Sequence, residues 1–316
     1  MDFFIVIILS ALLIIGLWLL YNFIVRRFSQ KAVDSEAINN YINKNFNGYE
    51  IVKEFSPHNI NKTLAVKKFD EQFILKITCK KVKKARREAR LLKELEGSIS
   101  VPRIISENTA SIPGHILMSH AGTKLSVSDT IDNYYAFGKV ISGISEINLS
   151  GQSKALLKKY HVENNIKKVL SKVNQNHPYA GYYYEYKQLP RKYFCHGDLH
   201  TNQALLGTDD RISIIDWESA SFSYRVLDLS TALSHCLGTK YSIQFAQAIM
   251  DGYRSVHALD NKQEIKLLLS LIWYALNKDY YLLQKYQEEW AQTKIKNIEP
   301  LLNNKDLEVI FGLKSD

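Results

Sequence analysis

Residues 195–218 constrain the fold more than any other part of this chain. Cys195-His196-Gly197-Asp198-Leu199-His200 opens the stretch, Gln203 follows Asp198 by five positions, and Ile214-Ile215-Asp216-Trp217-Glu218 closes it. Between them lie two apolar-rich runs, 203–207 and 211–215, joined by Thr208-Asp209-Asp210, a pattern that predicts a β-hairpin. Such a hairpin brings Gln203 and Asp216 back beside Asp198. A carboxylate that orients a hydroxyl and accepts its proton, next to oxygen ligands for a divalent ion, is the cluster phosphoryl transfer requires. Two other readings stay open on the residues alone: polar loop side chains, or Asp198 with His196 and His200 binding zinc. A His-x-x-x-His pair on a helix could ligate a metal, but Gly197 and the flanking loop signals oppose a helix there.

The spacing resembles the aminoglycoside phosphotransferase and choline kinase superfamily, whose pattern is His-Gly-Asp, Asn five residues past the Asp, then Ile-Asp-Trp or Ile-Asp-Phe. The resemblance implies an α+β, two-lobed, protein kinase-like fold, with a small antiparallel-sheet N-lobe and a mainly helical C-lobe. It implies that Asp198 is the catalytic base, that Gln203 and Asp216 ligate Mg²⁺, and that ATP is the donor. It also implies that His196 is structural, bracing the loop that carries Asp216. Gln203 stands where the family usually has Asn, offering the same amide oxygen on a longer stem. Some sugar kinases of the superfamily carry Gln there, and Asn202 is the substitute ligand if the loop is bulged.

A nucleotide site is expected upstream. Lys76 interrupts the apolar strand 73–77 and resembles the kinase-fold lysine that reaches the α- and β-phosphates. A lysine directed inward needs an anionic partner. Residues 84–95 are strongly helical in propensity, with Ala85, Ala89, Leu92 and Leu95 along one stripe. Glu88 matches the Arg-Glu-Ala pattern of the family's pairing helix, with Glu94 as the second candidate and a surface i,i+4 pairing as the plainer role. Runs 49–55 and 63–68 read as strands; the glycine-free loop 56–61 between them corresponds to the family's phosphate-covering loop. Strands at 101–105 and 115–118 follow. By resemblance, backbone groups near Met118 and His120 bond the adenine edge at an interlobe hinge.

Three scattered cysteines, Cys79, Cys195 and Cys236, offer neither a disulfide framework nor a zinc site. Cys195 ends an apparent strand, which opposes a role as nucleophile.

Residues 3–25 contain no charge, and as a helix they span roughly 34 Å, enough for a bilayer core. Trp18, Tyr21 and Phe23 near one end, followed by Arg26, Arg27 and Lys31, predict a single membrane span with the large domain in the cytoplasm. A signal peptide would want a basic start and a small-residue cleavage site, which Met1-Asp2 and the following run do not offer. Residues 80–93 hold eight basic side chains against Glu88. They read equally as a membrane-surface patch or as a solvated helix face. No motif supports nucleic-acid binding despite the net charge of +9.

The expected layout is an anchor at 1–25, a juxtamembrane segment and leading helix at 26–47, an N-lobe at 48–120 and a C-lobe at 121–316. Asp228 resembles a structural aspartate of the family. Glu218 and Trp217 are candidate acceptor contacts. The C-terminal aromatics, Trp273, Tyr274, Tyr280, Tyr281, Tyr286 and Trp290, read as core, or by resemblance to choline kinases as a cage for a quaternary ammonium. The whole predicts a membrane-anchored phosphotransferase acting on a small molecule or lipid-linked acceptor such as a sugar or amino alcohol. The rival is a membrane-tethered pseudokinase serving as scaffold or nucleotide sensor.

Overall fold

The computed structural model describes residues 35–55, 61–79, 82–125, 130–159, 166, 169, 171–237, 242–303 and 306–313. They divide into two compact units: the described residues up to Val82 with Ser106–Leu117, and Lys83–Ile105 with the residues from Met118 onward.

The first unit is built on a five-stranded sheet, β1 Glu50–Glu54, β2 Lys62–Lys68, β3 Glu71–Thr78, β4 Ile104–Asn108 and β5 Gly114–Ser119, in the order β1-β2-β3-β5-β4. β2 and β3 pair antiparallel with Leu64 opposite Leu75 and Val66 opposite Phe73. Because strand side chains alternate, these four and Ile77 share one face. Helix α1, Ser35–Asn45, buries Ile38 and Ile42 in the same cluster, joined by Phe46 one turn on. Tyr41 Oη and His115 Nδ1, 2.9 Å apart, tie that helix to β5. Lys76, opposite Thr63, falls by the same alternation on the other face of β3 and is half-buried. The fourth strand starts at Ile104 rather than at 101, since Pro102 has no amide to give a ladder. Arg103 N–H instead donates to Ser119 Oγ at 2.9 Å, and Ser119 N–H to Arg103 O at 2.9 Å.

The second unit is mainly helical. It contains α2 Val82–Leu95, α3 Ile131–Ile144, α4 Gly151–Leu156, α5 Pro178–Tyr186, α6 Leu227–Leu237, α7 Ser242–Val256, α8 Lys262–Leu283, α9 Glu289–Asn303 and α10 Asp306–Ile310. Short strands β6 Thr123–Lys124, β9 Ala204–Leu206 and β10 Ile212–Ile214 form one small sheet, and β7 Lys158–Lys159, β8 Tyr193–Cys195 and β11 Ser221–Ser223 another. α3 packs on α7, α6 on α7 and α8, and α8 on α5 and α9. The α3–α7 crossing is so close that a Cβ on Gly252 would stand 1.9 Å from Tyr135 O, so only glycine fits. Asn261 caps α8, accepting the N–H of Gln263 at 2.9 Å.

A transmembrane helix belonged to the expected fold, and a membrane localisation followed from it. Both are corrected: among the described residues no helix is long and apolar enough to cross a membrane. The longest, α8, carries Lys262, Glu264 and Lys266 in its first turns and Lys278 and Asp279 near its end, and its apolar middle, residues 267–274, is buried in the second unit. Residues 3–25, on which the expectation fell, lie outside the described residues. Several basic residues of α2 have internal uses: Lys84 pairs with Glu218, Arg87 bonds the Glu218 carbonyl, and Arg90 donates to Gln152 Oε1 at 2.7 Å.

Candidate active site

The hairpin forms. β9 and β10 pair with Ala204 opposite Ile214 and Leu206 opposite Ile212, and Ile215 N–H donates to Gln203 O at 3.0 Å. A 3₁₀ turn over Thr201–Gln203, held by Gln203 N–H donating to His200 O at 2.8 Å, leads into it. As a result Gln203 Nε2 lies 3.5 Å from Asp216 Oδ2 and 3.5 Å from His200 Nε2. Asn202 is exposed, so the amide that meets Asp216 is that of Gln203. Asp216 adopts a left-handed backbone (φ 67°, ψ 50°) as the chain leaves β10, a conformation short polar residues tolerate best.

His196 and Asp228 hold this arrangement. The fully buried His196 offers Nε2 to Ile215 O at 2.8 Å, and a carbonyl only accepts, so Nε2 carries the proton. Its Nδ1 then accepts Asp198 N–H at 3.4 Å. One ring thus ties the residue beside Asp216 to Asp198, and with both nitrogens engaged it has none for zinc. Asp228, in the first turn of α6, accepts His196 N–H at 2.7 Å and Gly197 N–H at 2.9 Å. Burial pushes its carboxyl up to about 6, with the two amide hydrogen bonds pulling the other way. Gly197 sits at φ +84°, and a Cβ there would stand 2.4 Å from Ser219 O. Trp217 lies flat on Phe194 (5.6 Å, 7°) and edge-on to His196, with its indole N–H donating to Ile214 O at 3.1 Å. It has no exposed surface. Glu218 pairs with Lys84 at 2.5 Å.

The electrostatics centre on Asp198. Burial raises its carboxyl above the ordinary range, His200 and Lys278 pull it down, Asp216 and Glu218 push it up, and the net shift is upward. A carboxyl raised in this way is better suited to general-base work near neutral pH than an ordinary one. His200 is lowered, chiefly by burial, and stacks on His235 with ring centroids 4.7 Å apart. Burial, assisted by His200, takes His235 down to about 4. Both rings are therefore neutral near pH 7.

Beside Asp198 opens a cavity of about 210 Å³. One face of α8 (Leu271, Tyr274, Ala275, Lys278 and Asp279) lines it opposite Thr231 and His235 of α6. The i, i+3, i+4, i+7, i+8 spacing is what one helical stripe produces. Lys278, Asp279 and His235 belong to no local motif, and only their later place on amphipathic helices could have pointed to them. Of the C-terminal aromatics, Tyr274 lines this cavity. Trp273 is buried with its N–H donated to Leu302 O at 3.1 Å, while Tyr286 and Trp290 are exposed.

Among the described residues no three His, Cys, Asp or Glu side chains converge as a metal site. The amide of Gln203 and the carboxylate of Asp216 supply two hard oxygen donors, which fits Mg²⁺, an ion that keeps waters and completes its shell with substrate phosphates. A half-turn of the amide puts Oε1 where Nε2 stands.

Glu88 is buried on the packed face of α2. Glu94 accepts from Ser150 N–H and from the hydroxyls of Ser150 and Ser153, at the start of α4. Met118 is buried at the end of β5; His120 is exposed, its Nδ1 accepting Gly122 N–H at 3.4 Å. Of the loop 56–61, only Asn61 is among the described residues, and its side chain accepts Cys79 N–H at 3.0 Å.

Residues 51–268 match the profile of the phosphotransferase enzyme family. The chain belongs to this family. The phosphotransferase shares its fold with amicoumacin kinase hAmiN in complex with AMP-PNP (14% identity, 92% of this chain and 98% of that one, TM-score 0.62). It is likewise similar to a microcompartment-associated aminopropanol kinase (16%, 89% and 100%, TM-score 0.60). A third likeness is to spectinomycin phosphotransferase in complex with ADP (14%, 84% and 92%, TM-score 0.53). No curated protein matches the phosphotransferase in sequence. Its fold is the kinase-like α+β fold, and it is an enzyme, a phosphotransferase.

Proposed function

We propose that this phosphotransferase moves the γ-phosphoryl group of ATP to a hydroxyl of a small molecule, with Asp198 as base and Gln203 and Asp216 as ligands of Mg²⁺. The observation that carries the reading is the approach of the Gln203 amide to the Asp216 carboxylate at 3.5 Å, on a hairpin beside a base whose pKa is raised. ATP as donor is supported by the AMP-PNP and ADP in two of the similar structures.

Asp198 orients the acceptor hydroxyl and takes its proton as the oxygen bonds to the γ-phosphorus. The bond from that phosphorus to the β–γ bridging oxygen breaks, and its electron pair leaves with ADP. Magnesium, when bound, supplies neutralisation of the charge on the β- and γ-oxygens. Gln203 and Asp216 hold that charge in register, and His196 keeps their loop fixed to the backbone of Asp198. Lys76 is assigned to the α- and β-phosphates, Glu88 to fixing that lysine, and the backbone near Met118 and His120 to the adenine edge. The acceptor occupies the cavity beside Asp198.

The test is transfer or hydrolysis of γ-labelled ATP by the full chain, wild type against Asp198→Ala. Mg²⁺-dependent turnover that falls by about 10²–10⁴-fold in the variant supports the assignment; equal turnover in both removes Asp198 from the role.

A further inference from the structure

The cavity beside Asp198 has a charge pattern that narrows its acceptor. At about 210 Å³ it lies below the range of roughly 300–1,000 Å³ that drug-sized ligands occupy, so it suits a molecule no larger than a simple sugar. Asp279 is bridged to Lys294 at 2.7 Å and brings no net charge. The hydroxyls of Ser230, Thr231 and Ser234 donate to carbonyls one turn back, at 2.6, 3.1 and 3.0 Å, and offer a ligand only their lone pairs. Lys278 is different. It makes no hydrogen bond or ion pair among the described residues, and the charge it acts on is that of Asp198.

A half-buried ammonium on a cavity wall is matched at least cost by an anion that arrives with the ligand. An ammonium-bearing acceptor meets the opposite situation. Lys278 repels it, Asp279 is already neutralised, Tyr274 alone makes no aromatic cage, and Asp198 is needed as base. We infer that the acceptor is a small hydroxy acid or sugar acid whose anionic oxygens are bound by Lys278 while its hydroxyl faces Asp198. This rests on the phosphotransferase reading above.

The experiment offers the full chain γ-labelled ATP with matched acceptors: two- to six-carbon hydroxy and sugar acids, glycerate and gluconate among them, against glycerol, glucitol, 3-amino-1,2-propanediol and glucosamine. The expected result is kcat/KM at least about tenfold higher for an acid than for its neutral and amino counterparts. Lys278→Met should raise the KM for that acid about tenfold while sparing the KM for ATP, and Lys278→Glu should shift the preference toward the amines. Preference of the wild type for a neutral or amino acceptor overturns the inference. So does a Lys278→Met effect on the KM for ATP, which would place the ammonium on the nucleotide. No transfer to any acid, with Asp198-dependent ATP hydrolysis intact, overturns it too and leaves the phosphotransferase reading standing. Absence of any Asp198-dependent turnover takes down both.

Discussion

The buried carboxylate of Asp228 grips the backbone N–H of His196 at 2.7 Å, and its second oxygen takes Gly197 N–H at 2.9 Å. Asp228 thereby sets the chain path immediately before Asp198, which makes α6 the anchor of the turn at 196–198.

Asp228→Asn should destabilise the protein at every pH, because one amide N–H would face a donor in place of an acceptor. The loss should also depend on pH. The folded pKa, about 6, lies above the ordinary carboxylate value, so the folded state holds the proton more tightly and this group's contribution falls as pH rises from about 4 to 6. Denaturant titrations should therefore show a larger loss at pH 5 than at pH 7, by about 1 kcal/mol. An equal loss at both would mean that Asp228 is ionised throughout.

Gly197→Ala should cost at least about 2 kcal/mol of stability, since the residue is left-handed and its new methyl would overlap the Ser219 carbonyl. A shift in urea midpoint measures it, and a neutral outcome would mean that the turn opens readily.

The raised pKa of Asp198 predicts an acidic limb of kcat/KM above the ordinary carboxylate range, because the base is inactive once protonated. Rates across pH 4–8 check this. Glu218→Gln removes a neighbouring negative charge and should move that limb to lower pH.

Glu94→Ala should remove the acceptors that hold Ser150 and Ser153 at the start of α4, costing on the order of 1 kcal/mol without changing the KM for ATP. Glu88→Ala should raise the KM for ATP if Glu88 rather than Glu94 serves Lys76. Steady-state kinetics on the two variants separates the carboxylates.

Gln203→Ala should weaken Mn²⁺ binding, followed by electron paramagnetic resonance, by about tenfold or more. Gln203→Asn should recover only part of it, since the shorter stem draws the amide back from both Asp216 and His200.

The stretch from Cys195 to Glu218 could be read from sequence because its geometry is local: turn residues and two apolar runs bring Gln203 to Asp216 without help from the rest of the chain. The partner of His196 on α6, Asp228, was visible as a motif residue, but its hold on two amides belongs to tertiary structure. The cavity wall was not legible, since Lys278 and His235 look like ordinary members of amphipathic helices until packing brings α6 and α8 together. Trp217 is buried against Phe194 and His196, packing that the motif itself does not spell out. β4 began late because Pro102 cannot join a ladder. The expected membrane span rested on residues 3–25, and no described helix has that character.

A crystal structure of the full chain with a non-hydrolysable ATP analogue and Mg²⁺ tests the central claim most directly. The expected result is an ion about 2.1 Å from an oxygen of Gln203 and an oxygen of Asp216, with the γ-phosphate facing Asp198 across the cavity mouth. An ion bound elsewhere, with the Gln203 amide turned from Asp216 or the γ-phosphate remote from Asp198, would contradict it.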